Sequence, residues 1–409
     1  MNKIYEEIKK RELIAQCIDE DKTKEIINSG KAIFYIGFDP TADSLHIGHL
    51  ISLITAMHMQ KNNNKAIILL GGGTGYIGDP TNKNSMRRIM QNNEINDNCK
   101  KIKKQIKHIL KNKNVIFVNN KKWILQLKLI DFLKNIGKHF LINNMLRAEC
   151  YKQRMKNGLT FLEFNYLILQ SYDFYILSKK YNCNLQIGGD DQWSNMIGGV
   201  DLINKKNREK VGALTVNLLT DKNGKKMGKT ENGAIWLDKN KTSPYEFYQY
   251  WRNISDEITI KYLKMLTFIP LEKIKIYEKE KNINDLKKIL AFELTKLVHG
   301  EKNAEKSEKI SLNIFSKKNF SCALEKIIDV DTDTKLKKIL FLLKLCPNEK
   351  GGEFIIKQNC VFLDNKLITD VEYIVPIKKL FFGILFRKGK KLFLKLKAIK
   401  KNNEKNNNN

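Results

Sequence analysis

The stretch IFYIGFDPTADSLHIGHLISLITAMHMQ at residues 33–60 constrains the fold more than any other part of the chain. An apolar run from Ile33 to Phe38 reads as a buried parallel strand, and Asp39, Pro40 and Thr41 break it. From Leu45 onward, Leu50, Leu53, Ile54 and Met57 recur at helical spacing. A strand, loop and helix in that order gather unpaired N–H groups and a positive dipole end at the helix start, where anions bind. His46 and His49 stand three apart across that start with Gly48 between them, so both imidazoles share one side of the first turn and leave room for a ligand. An H-x-x-H pair can also be half of a zinc site. Metalloprotease helices use H-E-x-x-H, however, and no third ligand cluster follows here, so no metal site is expected.

A chain of 409 residues exceeds one ordinary core, so two or three domains are expected. With 42% hydrophobic and 29% charged residues, it reads as a soluble globular protein. Its formal net charge of +30 suits a polyanionic partner, although a Lys-, Asn- and Ile-rich composition of the kind low-GC coding produces gives the same surplus. Seven cysteines without a C-x-x-C pair suggest reduced thiols, a cytoplasmic setting and no structural zinc. The N-terminal MNKIYEEIKKRELIAQCIDE carries Glu6, Glu7 and Glu12 and no apolar core, so it reads as a surface helix and not a targeting peptide. No apolar run is long enough to span a bilayer, and no membrane partner is expected.

A second apolar run, 66–70, leads into GGGTGYIGDP, which contains a formal G-x-G-x-x-G at 73–78. A dinucleotide fingerprint needs its glycines at the βαβ entry and an acid presented about 20 residues later. Glu94 and Asp97 lie near that distance but in a polar stretch with no strand end. In FLEFNYLILQSYDFYILS, 161–178, which reads as one helix, Tyr166, Gln170 and Asp173 form a single polar stripe among apolar neighbours. Such a stripe faces water or lines an internal pocket, and the apolar surround favours the pocket at least equally. The run LQIGGDDQW, 185–193, is a strand end with two glycines and an acid pair, the place where an open parallel sheet takes its ligand. Another strand-like run, ALTVNLL, precedes DKNGKKMGKT at 221–230, where Gly224 and Gly228 loosen a loop carrying Lys226 and Lys229.

The string His-Ile-Gly-His resembles the HIGH signature of class I aminoacyl-tRNA synthetases, and KMGKT resembles their KMSKS loop. The wider GFDPTADSLHIGH, the GGxTGxIGDP run, GGDDQ, WLDKNKTSPYEFYQ and KLVHGE are similar to the tyrosyl branch. The resemblance implies an α/β fold: a Rossmann-like parallel-sheet catalytic domain over 1–243, an α-helical anticodon-side domain over 244–325, and a small α+β S4-like RNA-binding domain over 333–400. The tail, 401–409, is polar and of low complexity, so it is expected to be disordered. The resemblance also implies tyrosine activation by ATP and transfer to tRNA, with Mg²⁺ accompanying the ATP phosphates, in a homodimer whose interface lies near Phe161. Tyr35, Asp79, Tyr166, Gln170, Asp173, Gln186 and Gln192 would bind tyrosine, Asp173 and Tyr35 meeting its phenol. Gly37, Asp39, Gly48, Gly189 and Asp191 would contact ATP, with Thr41 and His46 at the γ-phosphate and His49 on the nucleoside side. Lys83 and Arg87, four apart on one helical face, would join Lys226 and Lys229 on the departing pyrophosphate.

Departures from the family pattern are Asp190 for a serine, Ser194 for a glycine, Ile36 for a small or thiol residue and Lys122 for an acid. An extra carboxylate at 190 beside a phosphate path would weaken ATP affinity. A catalytically silent RNA-binding relative would lose the phosphate ligands that this sequence retains. A tryptophanyl enzyme would not need Tyr35 with Asp173, a pairing that suits a phenol over an indole.

Overall fold

The computed structural model describes residues 3–81, 85–111, 114–230, 233–315, 324–389 and 392–398. The first half runs α1 (Ile4–Lys10), β1 (Ile14–Ile18), α2 (Glu20–Asn28), β2 (Ile33–Phe38), α3 (Leu50–Gln60), β3 (Lys65–Leu70), α4 (Asn92–Leu110) and β4 (Val115–Asn119). Short helices follow, α5 (Lys121–Ile124), α6 (Leu129–Asn135), α7 (Ile142–Leu146) and α8 (Glu149–Lys156). Then come α9 (Phe161–Phe164), α10 (Tyr166–Tyr181), β5 (Leu185–Gly189), α11 (Trp193–Asn207) and β6 (Gly212–Val216).

These strands form one sheet in the order β1-β6-β5-β2-β3-β4, parallel throughout except for β1, which is antiparallel to β6. Continuous apolar strands such as β2 arise because helices cover both faces of a parallel sheet. On one face Tyr35, Ile67, Leu69 and Val118 share a core with Phe174 and Leu177 of α10 and Ile203 of α11. The alternate residues Phe34, Ile36 and Ile68 are equally buried, and α3 packs against β3, β5 and β6. The chain winds from β2 out to β3 and β4, then returns on the other side of β2 as β5. Winding therefore reverses between β2 and β5, and the crevice outside their C-terminal ends, Phe38 and Gly189, is where such a sheet binds ligands.

Local readings change in three places. The N-terminal segment is not one surface helix: α1 buries Ile4, Tyr5 and Ile8, and Ile14–Ile18 becomes the edge strand β1. An unpaired β6 edge supplies the backbone partners that the isolated segment lacks. Residues 85–91 are not helical, so Arg87 does not share a helical face with Lys83, which lies outside the described residues. The run from 161 divides at Asn165, because Thr160 and Glu163 form a capping box that starts α9 as its own short turn.

Next come the two-residue strands β7 (Lys229–Thr230) and β8 (Gly233–Ala234), paired antiparallel, and the expected helical run: α12 (Pro244–Arg252), α13 (Asp256–Leu266), α14 (Leu271–Glu280), α15 (Ile283–His299) and α16 (Glu301–Phe315). The remainder is β9 (Leu324–Ile328), β10 (Thr334–Lys335), α17 (Leu336–Leu342), α18 (Glu349–Lys357), β11 (Val361–Leu363), β12 (Lys366–Leu367), β13 (Ile374–Val375), α19 (Ile377–Phe382), β14 (Ile384–Lys388) and β15 (Leu392–Ala398). By compactness the chain divides into one unit of Met1–Gly228, Ile235–Ser243 and Tyr250–Val298 and a second of Lys229–Ala234, Pro244–Gln249 and His299–Asn409.

In the second unit a five-stranded sheet, β12-β11-β14-β15-β9, packs with α17, α18 and α19 around a core that includes Leu336, Leu340, Ile356, Leu380 and Phe386. Strand β15 alternates: Leu394 and Leu396 are buried, while Lys395 and Lys397 remain partly exposed and pair with Glu325. The expected disordered tail, 401–409, lies outside the described residues. Among the described residues no helix is long and apolar enough to cross a membrane.

Candidate active site

Helix α10 sets its polar stripe against the loops that leave β2, β3 and β4. Asp173 is 2% exposed and accepts hydrogen bonds from Trp123 Nε1 at 2.7 Å and Asn120 Nδ2 at 2.9 Å. Asn120 Nδ2 also donates to Thr74 Oγ1, and Thr74 Oγ1 donates to Asp39 Oδ1 at 2.7 Å. Tyr166 Oη donates to the other oxygen of Asp39 at 2.8 Å. Five loops and helices thus meet in one polar chain, Trp123–Asp173–Asn120–Thr74–Asp39–Tyr166. Glycine is required beside it: a Cβ on Gly71 would stand 1.9 Å from Asp39 Oδ1.

Burial raises the pKa of both carboxyls, against the hydrogen bonds that favour their charged forms. Asp173 is pushed up to about 7 and Asp39 to about 6. Tyr35 projects from β2 beside this chain, its ring centroid 5.3 Å from that of Phe174, and burial followed by the charge of Asp173 raises its pKa. Gln186 stands opposite Tyr35 in the β2–β5 register. Tyr35 Oη, Gln170 Oε1 and Gln186 Oε1 are buried without a partner among the described residues. Buried polar atoms left unpaired cost free energy, so three in one region mark where a polar ligand completes the site.

Asp79 follows the glycine run and accepts from Gln192 Nε2 at 2.7 Å and from the N–H of Thr81. Arg87 Nε donates to the Asp79 carbonyl at 2.8 Å. Across the crevice, Gly189 ends β5 and Asp191 accepts Lys226 Nζ at 2.9 Å. Nothing lies within 4 Å of a Cβ built on Gly37, so the end of β2 is open.

The two histidines form a single 3₁₀ turn, Ile47–His49, ahead of α3. His46 Nδ1 accepts the N–H of Gly48 at 3.1 Å, and the N–H of His46 points to His49 Nδ1 at 3.2 Å, a reciprocal cap. With Nδ1 accepting, a neutral His46 carries its proton on Nε2 as a donor. The ring centroids are 4.1 Å apart, and a Cβ on Gly48 would come within 2.8 Å of His46 Cε1. Burial, then the charge of His46, pulls the His49 pKa down to about 3, so His49 is neutral at pH 7. The lysine loop reaches this turn: a Cβ on Gly228, whose φ is +107°, would lie 3.2 Å from His46 Nδ1. On the far side of the loop the N–H of Ile47 donates to the Ile235 carbonyl at 3.0 Å.

The structure therefore brings together Tyr35, Asp39, Asp79, Tyr166, Gln170, Asp173, Gln186 and Gln192, and sets Gly37, His46, Gly48, His49, Gly189, Asp191 and Lys226 around the same crevice. Thr41 is exposed on the loop after β2. Lys83 and the Lys229 side chain lie outside the described residues. Sequence reasoning passed over Asn120, Trp123 and Thr74. The signal for Asn120 was its place just past the apolar run 115–118, at a parallel-strand end. Among the described residues no group of His, Cys, Asp or Glu is arranged to hold a metal.

A family model described as tRNA synthetases class I (W and Y) matches residues 5–316. The chain is 45% identical over 408 residues to a protein of Acetivibrio thermocellus named tyrosine–tRNA ligase, covering 98% of this chain and 100% of the relative. A Fusobacterium nucleatum protein of the same name is 46% identical over 399 residues, covering 96% and 98%. Among solved structures, a C-terminally truncated mitochondrial tyrosyl-tRNA synthetase of Aspergillus nidulans matches with a TM-score of 0.69 at 27% identity, over 77% of this chain and 95% of that one. A tyrosyl-tRNA synthetase of Archaeoglobus fulgidus, solved with L-tyrosine, shares the fold with a TM-score of 0.59 at 18% identity, over 74% and 99%. Similarity of this degree along the whole length shows that the chain belongs to the class I tRNA synthetases, on their tyrosyl branch.

Proposed function

We infer that the chain is a tyrosine–tRNA ligase: it joins L-tyrosine to ATP as tyrosyl-adenylate, releasing pyrophosphate, and then transfers the tyrosyl group to tRNA(Tyr). The observation that carries the substrate assignment is the unpartnered, buried Tyr35 Oη beside the doubly hydrogen-bonded carboxylate of Asp173. A phenol hydroxyl can donate to that carboxylate and accept from Tyr35. Phenylalanine would leave Tyr35 Oη unpaired and set an apolar edge against the Asp173 carboxylate, and that is the physical basis of its rejection. Asp79, Tyr166 and Gln170 hold the α-ammonium, Gln192 lies by the substrate carboxylate, and Gln186 lines the pocket.

A carboxylate oxygen of tyrosine attacks the α-phosphorus of ATP in line, and the bond to the pyrophosphate oxygen breaks. The substrate supplies the nucleophile, so the protein acts by positioning and by stabilising the charge that leaves. Gly37, Gly48 and Gly189 let the nucleotide approach, Asp191 accepts from the ribose, and His49 lies on the nucleoside side. Asp39, through Tyr166, links the nucleotide loop to the amino acid pocket. Thr41 and the Nε2 donor of His46 take the γ-phosphate, while Lys83, Arg87, Lys226 and Lys229 follow the departing pyrophosphate. Lys226 on Asp191 and Gln192 on Asp79 are pairings that substrate groups replace. Mg²⁺ enters with ATP on its phosphates, as that ion commonly does.

The segment 244–325, which carries helices α12 to α16, serves the anticodon side, and 333–400 serves as an S4-like tRNA-binding module. Leu129, Ile130, Leu141, Ile142 and Phe161, each more than half exposed, form the surface on which a second copy docks, giving a homodimer. The enzyme works in the cytoplasm, in keeping with free Cys17, Cys99, Cys183, Cys346 and Cys360. Amino-acid-dependent pyrophosphate exchange tests the reading. Exchange with tyrosine and not with phenylalanine or tryptophan is expected, whereas tryptophan-dependent exchange, or none with any amino acid, refutes it.

A further inference from the structure

The turn after β5 sends three consecutive side chains in three directions. Asp191 meets Lys226 and Gln192 meets Asp79. Asp190 meets neither: its Oδ1 accepts Gln16 Nε2 at 2.7 Å and Thr215 Oγ1 at 2.8 Å. Thr215 is fully buried on β6, and its oxygen in turn accepts the N–H of Gln16 at 3.0 Å. Gln16 N–H to Thr215, Thr215 hydroxyl to Asp190 and Gln16 amide to Asp190 make a closed ring of three hydrogen bonds.

A slip in the sheet creates the ring. Ile14 pairs with Val216 and Gln16 with Thr215, so Ala15 is an extra residue between consecutive partners. A bulge of this kind diverts one N–H from the ladder and re-aims a side chain, here toward the strand end that carries the turn. Both donors converge on Oδ1, and a serine at 190 would present its oxygen one bond nearer the backbone, short of that point.

We propose that Asp190, Gln16 and Thr215 are positioning residues for the nucleotide: the bulged edge strand holds the 189–192 turn so that Asp191 meets the ribose. The carboxylate at 190 thus anchors the ATP side of the site instead of repelling phosphate. The proposal rests on reading Asp191 as the ribose ligand of a tyrosine-activating enzyme.

The test uses the full chain in tyrosine-dependent pyrophosphate exchange, with KM for ATP and for tyrosine measured separately in D190A, D190S, Q16A, D190N and the double variant Q16A/D190A. Q16A removes one ring bond and D190A two, and opening the ring is expected to raise KM for ATP by about three- to tenfold in D190A, D190S and Q16A. KM for tyrosine is expected to stay within about twofold, and the double variant within about twofold of the worse single one, because the two residues act as one unit. D190N keeps Oδ1 and accepts both donors, so its KM for ATP is expected within about twofold of the parent. Any of four results overturns the proposal: unchanged KM for ATP in D190A, tighter ATP binding in D190S, fully additive single effects, or D190N as impaired as D190A. If D190A fails to fold, Q16A on the exposed edge strand gives the same readout. Absence of tyrosine-dependent exchange in the parent protein would instead defeat the functional reading, a result distinct from any change among the variants.

Discussion

Replacing Asp173 with asparagine separates two properties of the pocket that the structure combines. The carboxylate takes two donors, Trp123 Nε1 and Asn120 Nδ2, one on each oxygen. An amide offers only one accepting atom, so one buried donor loses its partner at a cost of about 1–3 kcal/mol of stability. The phenol of tyrosine also loses a charged acceptor, worth about 1.5–3 kcal/mol, or about 10- to 150-fold in affinity. A second signature is the pH profile. Burial holds the Asp173 carboxyl near 7, so in the free enzyme it is largely protonated below that pH, and a phenol donor binds the ionised form. Tyrosine affinity of the parent protein should therefore rise about tenfold per unit up to about pH 7 and then level off. In D173N that slope should vanish. Equilibrium dialysis with tyrosine from about pH 5.5 to 8 measures both effects, with phenylalanine as the ligand that has no phenol to lose. A parent profile that is flat over this range, or D173N binding tyrosine within about threefold of the parent, would refute the assignment.

Lys229→Ala should slow tyrosyl-adenylate formation by about 10²-fold or more, the size of losing one transition-state donor, and an unchanged single-turnover rate would contradict it. His58 is fully buried, with both ring nitrogens unpartnered among the described residues, and burial followed by the charges of Arg11 and Lys61 pulls its pKa down to about 3. The folded state stays neutral where the unfolded chain takes a proton. Its contribution is therefore complete above about pH 6.5 and is lost toward pH 3, by about 1.4 kcal/mol per unit. Asp39 and Asp173, with raised pKa values, act in the opposite sense between their unfolded values and about 6 and 7. Denaturant unfolding of His58→Leu should accordingly gain on the parent as pH falls from about 6.5 to 5, and a pH-independent difference would count against the argument. Ile130→Glu, at a side chain 72% exposed, should yield a monomer in sedimentation if that surface joins two copies, and an unchanged dimer would place the interface elsewhere.

Much of this site was legible in the sequence because its signals are local. A continuous apolar strand, a polar break and a helical period fix the β2–α3 unit within 33–60, and i, i+4, i+7 spacing alone aligns Tyr166, Gln170 and Asp173. The family motifs added residue roles, and similarity over nearly the whole chain bears out the family. What remained hidden depends on contacts between segments far apart in the chain. Asn120 and Trp123 reach Asp173 across about 50 positions, and the strand end before Asn120 does not by itself name the partner they meet. The N-terminal segment becomes a strand only because β6 offers an unpaired edge, and Arg87 leaves helical geometry beside the Asp79 carbonyl. The orientation of Asp190 follows the same rule: its sequence context suggests repulsion of phosphate, and only the folded sheet shows two donors waiting for it. Periodicity determines which residues can share a face. Which faces meet, and which buried groups find partners there, is decided by packing across the whole chain.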